Sequence, residues 1–112
     1  MTGTDWKNIL PREVQRRLER GEQLNLLDVR EPDEWESGHI PGAKHIPLGT
    51  LRTRYKELDP AEETIVICRS GNRSALACEF LASMGYKAAN MQGGMIEWEG
   101  RIEYGRSSIR RG

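Results

Sequence analysis

The run Thr64-Ile-Val-Ile-Cys68 constrains this chain more tightly than any other segment. It is an almost unbroken series of β-branched residues, the pattern of a strand buried on both faces, as in parallel sheets. A Gly-containing loop follows, and then Ser74 to Met84 reads as a helix with Gly85 at its C-terminal stop. The rest of the chain repeats this alternation. Pro11 to Arg20 reads as a helix with Pro in its first turn, stopped at Gly21. Leu24 to Val29 reads as a short strand, and Glu31 to Ser37 as a short helix ended by Gly38. Ala43 to Ile46 is a strand candidate limited by Pro47. Apolar residues at 48, 51, 55 and 58 form a helical stripe. Lys87 to Met91 is a last strand candidate, Gly93-Gly94 a turn, and Met95 to Trp98 a helical turn. The expected class is therefore α/β with a mostly parallel sheet. The alternation leaves strand order open.

A chain of 112 residues suits one domain. Its formal net charge is zero, but the charge is unevenly spread. Residues 101–112 hold Arg101, Arg106, Arg110 and Arg111 against Glu103 alone, so the body is slightly acidic and the end basic. Such an end could touch nucleic acid or an acidic partner. The simpler expectation is a solvated, flexible tail, with no nucleic-acid partner. No apolar stretch approaches the ~18 residues needed to span a membrane. The N-terminus lacks a charged segment followed by an apolar run, so no signal peptide is read. Cys68 and Cys78 do not have the Cys-x-x-Cys spacing of a redox or zinc pair. A reducing, cytoplasmic setting is the expectation.

Cys68 ends a buried strand, and Cys68-Arg-Ser-Gly-Asn-Arg73 leads into a helix. In open parallel sheets, ligands bind beyond the carboxyl ends of the strands. A thiolate is the nucleophilic form of cysteine, and an unperturbed thiol near ~8.5 is mostly protonated at neutral pH. The amides of a curled loop, the helix N-terminus and the cations Arg69 and Arg73 would all favour the anion. Gly71 allows a positive φ or a close backbone approach. A cysteine at a strand end is otherwise often just a small buried hydrophobe. Two Arg, a Gly and a helix start within six residues weigh against that here. Cys78, in Ala-Leu-Ala-Cys-Glu-Phe-Leu, reads as helix packing.

With these residues in view, the sequence resembles the rhodanese-like family over about residues 4–100. Four segments carry the resemblance: Leu27-Asp-Val-Arg-Glu-Pro-Asp-Glu-Trp; Gly38-His-Ile-Pro-Gly-Ala followed by Ile46-Pro47; Cys68-Arg-Ser-Gly-Asn-Arg-Ser; and Met91-Gln-Gly-Gly-Met-Ile-Glu-Trp98. Four such segments in the right order are far more specific than any one. The resemblance implies a parallel five-stranded sheet flanked by helices on both faces, occupying residues 4–100, with 101–112 as a basic tail. It implies a sulfurtransferase in which Cys68 takes a sulfane sulfur from thiosulfate or a persulfide donor. Cyanide, a thiol or a protein acceptor then removes it.

The same resemblance makes Arg69, Ser70, Gly71, Asn72 and Arg73 the substrate-binding residues. The loop amides would hold the anionic persulfide, and Arg69 or Arg73 the sulfonate end of thiosulfate. Which Arg faces the substrate is not legible. Asp28 and Arg30 are supporting residues, with Asp28 expected to pair with Arg30 or Arg73. His39 reads as turn-shaping, His45 as a surface or packing residue, and Trp35 and Trp98 as packing residues. No metal spacing is present and no cofactor is implied. The expected partners are a small sulfur donor and a protein donor or acceptor; a membrane is not one.

Two other readings compete. A cysteine phosphatase or arsenate reductase of related fold would use Cys-x5-Arg, a wider cradle. This chain has Cys-x4-Arg, a tighter loop better suited to one sulfur atom. A binding module on the same scaffold often lacks the cysteine, which is present here with both Arg residues.

Overall fold

The computed structural model describes residues 5–105. Five parallel strands form one sheet: β1 (Lys7–Ile9), β2 (Asn25–Asp28), β3 (Lys44–His45), β4 (Thr64–Ile67) and β5 (Ala88–Met91), in the order β1-β5-β4-β2-β3. Four α-helices connect them: α1 (Pro11–Glu19), α2 (Pro32–Glu36), α3 (Leu51–Arg54) and α4 (Asn72–Ser83). Strand β4 lies at the centre, with β5 on one side and β2 on the other. All four of its residues are buried, as its β-branched run requires.

Side chains alternate across the strands and divide the core in two. Leu26, Ile65, Ile67, Ala89 and Met91 face one layer, where Val14 of α1 and Trp35 of α2 pack. Leu27, Val66, Cys68 and Ala88 face the other, against Leu51 of α3 and Ala77, Cys78 and Leu81 of α4. Helices therefore cover both faces, as the resemblance implied.

Local chemistry explains the element ends. Helix α1 starts with Pro11 at its first position and ends before Gly21, whose φ is +84°. Helix α2 carries a reciprocal capping box between Glu31 and Glu34.

Three expectations are corrected. Strand β1 was not anticipated. Only Ile9 of its three residues is buried, so no pattern announces it, and it exists because β5 offers a parallel edge. The stripe from Leu48 to Leu58 is not one helix but a 3-10 turn (Leu48–Thr50), α3 and a second 3-10 turn (Tyr55–Glu57). The hydroxyls of Thr50 and Thr53 bond the carbonyls three residues back, Pro47 and Thr50, which favours the tighter turn.

The third correction concerns the end of the body. Residues 101–105 are tied to it rather than free. Trp98 Nε1 donates to the Arg101 carbonyl at 3.0 Å, and Gly105 N to Glu36 O at 3.0 Å. His39 and Glu103 exchange both backbone hydrogen bonds at 2.8 Å. Residues 106–112 of the expected tail lie outside the described residues. Among the described residues, no helix is long and apolar enough to cross a membrane.

Candidate active site

Cys68 follows β4 directly, and its side chain is 1% exposed. The loop is shorter than the sequence suggests because α4 already begins at Asn72. Gly71 is its N-cap with φ +103°, a conformation only glycine adopts cheaply. This turn swings the first amides of α4 back toward the sulfur. Gly71 N donates to Cys68 Sγ at 3.0 Å, and Ser74 Oγ lies 3.2 Å from it.

The carbonyl side of the loop is tied off elsewhere. Met95 N donates to Cys68 O at 2.9 Å, and Ile96 N to Arg69 O at 3.0 Å. Gly94 makes that contact possible, since a Cβ there would stand 2.3 Å from Arg69 O and 2.6 Å from Cys68 O. The Gly-Gly turn after β5 is thus a steric requirement of the loop.

Burial alone would push the Cys68 thiol up. It is outweighed by hydrogen bonds from the Ser74 hydroxyl and the amides of Ser74, Gly71 and Ser70, which leave the thiol below its ordinary value. Cys78 has burial without such donors. Its thiol is pushed up to about 12, first by burial and then by the charge of Cys68. Of two cysteines in the same core layer, one is shifted toward the thiolate and the other away from it.

The chain as a whole is similar to known proteins. Residues 10–101 match the rhodanese-like domain family. The chain belongs to the rhodanese-like family. It is 42% identical over 97 residues to YtwF of Bacillus subtilis, covering 87% of this chain and 94% of YtwF. It is 32% identical over 96 residues to the thiosulfate sulfurtransferase GlpE of Pseudomonas syringae, covering 85% and 89% of the two chains. Among solved structures, the rhodanese-like domain protein of Staphylococcus aureus superposes with a TM-score of 0.83 at 32% identity, covering 88% of this chain and 97% of that one.

In this rhodanese-like domain the expected site residues divide into two groups. Cys68, Arg69, Ser70, Gly71, Asn72 and Arg73 share the loop and the first turn of α4. Arg69 is exposed and makes no ion pair among the described residues. Arg73 instead forks onto Glu34 of α2, at 2.8 and 2.9 Å. The two cations thus differ: Arg69 is open to an anion, and Arg73 is already engaged. Asp28 pairs with Arg30 and not with Arg73. A separate groove of about 410 Å³, lined by Gln15, Leu18, Ile40, Pro41 and Trp98 among others, includes no loop residue. It has no nucleophile, and the loop remains the candidate site.

Glu34 was not singled out from the sequence, although it sits in the first of the four segments that carry the resemblance. The Arg73 fork holds its carboxyl at about 2 against the opposing effect of burial, with help from the Glu31 amide. A carboxylate with a depressed value contributes stability that is full above its unfolded value near 4.5. That contribution is lost as the pH falls from there through about 2. Denaturant unfolding should therefore show the stability gap between wild type and Glu34→Gln closing over that acid window. A gap unchanged from pH 6 to pH 2 would mean that the ion pair contributes nothing.

Proposed function

We propose that this domain is a sulfurtransferase that carries sulfane sulfur on Cys68. The carrying observation is the convergence of the Gly71 amide and the Ser74 hydroxyl on Cys68 Sγ at the N-terminus of α4. In the first step the Cys68 thiolate attacks the outer sulfur of thiosulfate. A Cys68 S–S bond forms, the donor S–S bond breaks, and its electron pair leaves on sulfite. In the second step cyanide, a thiolate or a protein acceptor attacks the terminal sulfur. The Cys68 S–S bond breaks and its pair returns to Cys68. Each step is a simple displacement at sulfur, which is the benefit of covalent catalysis.

The roles follow from position. The amides around Ser70, Gly71 and Ser74 stabilise the thiolate, and those of residues 69–73 the terminal sulfur of the persulfide. Arg69 is the free cation for the sulfonate end of thiosulfate. Arg73, held by Glu34, braces α4 against α2 and adds positive potential. Asp28 and Arg30 support the carboxyl end of β2. A relative named thiosulfate sulfurtransferase supports thiosulfate as a donor.

The test is intact mass after incubation with thiosulfate. Wild type should gain one sulfur atom, and cyanide should remove it. No adduct, together with Cys68-dependent cleavage of an aryl phosphate, would replace this reading with a phosphatase.

A further inference from the structure

A buried line of side chains runs from the sheet to the sulfur. Asn90 on β5 is 4% exposed, and Ser74 in the first turn of α4 is fully buried. Asn90 Nδ2 donates to Gly71 O at 3.2 Å and to Asn8 Oδ1 of β1 at 3.1 Å. The Ser74 hydroxyl donates to Asn90 Oδ1, and the same oxygen lies 3.2 Å from Cys68 Sγ.

The orientation of the Asn90 amide is forced. The Gly71 carbonyl can only accept, so Nδ2 must face it and Oδ1 is left facing Ser74. Ser74 has a single hydroxyl proton. While Cys68 is a thiol, all partners are satisfied: S–H donates to Ser74, and Ser74 donates to Asn90. The inner sulfur of a persulfide is neutral and carries no proton, so it needs no donor and Ser74 keeps its proton on Asn90. The bare thiolate is different: the Gly71 amide still donates to it, but Sγ and Asn90 Oδ1 then compete for the one hydroxyl proton.

We propose that Asn90 is a positioning residue for Cys68, acting through Ser74: it competes with the sulfur for the hydroxyl proton, so that the thiolate receives that hydrogen bond only in part. This rests on Cys68 being the sulfur carrier. In that setting Asn90 disfavours the bare thiolate relative to the thiol and the persulfide. The thiolate therefore stays reactive instead of being over-stabilised by one more strong hydrogen bond.

The test is the pH dependence of Cys68 alkylation by iodoacetamide, followed on the Cys68 peptide by mass, in wild type, Asn90→Val, Ser74→Ala and the double variant. Asn90→Val releases the proton to the sulfur and should raise the thiolate fraction roughly tenfold on the acid side of the profile. In the Ser74→Ala background the same substitution should change it by less than about twofold. An equal shift in both backgrounds would overturn the proposal in favour of loop geometry, and no shift in either would overturn it outright.

Ser74→Ala alone leaves β5 untouched and serves if Asn90→Val does not fold. The proposal expects it to lower the thiolate fraction by less than about threefold, whereas a hydroxyl given freely to sulfur would lower it by tenfold or more. Alkylation needs no sulfur donor. A coupled shift in a protein that takes no sulfur from thiosulfate would keep the proton argument and remove the donor reading.

Discussion

Cys68→Ser is expected to acquire no sulfur from thiosulfate and to lose at least about a thousandfold in transfer rate while remaining folded. The loop supplies hydrogen bonds that move a thiol below its ordinary value. An alcohol starts far higher, and the same donors cannot make it an alkoxide at neutral pH. A serine nucleophile needs an adjacent base. The two histidines are committed elsewhere: His39 Nδ1 donates to Trp35 O, and His45 Nε2 to Arg30 O, each at 2.8 Å. The fold should tolerate the change, because serine is slightly smaller and its oxygen can accept from Gly71 N as the sulfur does. Intact mass with thiosulfate, a cyanide-coupled rate and circular dichroism on the same sample separate the outcomes. A folded variant that still transfers sulfur at more than a few per cent of wild type would move the carrier role away from Cys68.

The parts of this molecule legible in the sequence are those written in contiguous residues. The β4 run, the loop and α4 follow one another along the chain, so their burial pattern and chemistry can be read together. The helix start was misplaced by two residues because Asn72 and Arg73 look like loop, and only the positive φ of Gly71 reveals where the turn ends. Strand β1 has no pattern of its own, and its partner β5 lies about eighty residues away. The same distance hid Asn90 and Asn8 from view. A polar residue within the fully buried strand Ala88–Met91 was the available signal, and its meaning depends on Ser74 standing opposite it. Glu34 was hidden for the same reason: its partner Arg73 is 39 positions away and on another helix. The choice between Arg69 and Arg73 likewise required the tertiary contact.

The second large effect is one of stability. Asp28→Asn is expected to cost about 3–5 kcal/mol, because it leaves the Arg30 guanidinium buried without its counter-charge. The pair is closed on all sides. Arg30 and Asp28 side chains are 6% and 1% exposed and meet at 2.8 Å. Asp28 Oδ1 also accepts from the Arg30 amide and Nε at 3.0 Å each, and Arg30 donates further to Gly38 O at 2.7 Å. An asparagine would turn one acceptor into a donor facing donors. A domain of this size has roughly 5–15 kcal/mol in total, so the loss should lower the melting temperature by on the order of 15 °C. The double variant Asp28→Leu with Arg30→Met, which removes both charges, should recover much of it, since the penalty lies in the orphaned cation rather than in the missing attraction. Thermal unfolding of the three proteins tests this. Sulfur transfer per folded molecule, measured well below the transition, tests the role itself: it should stay within the same order of magnitude in all three. A large fall in the double variant, while it is still folded, would mean that the Asp28–Arg30 pair acts on Cys68 and not only on the fold of the sheet that carries it.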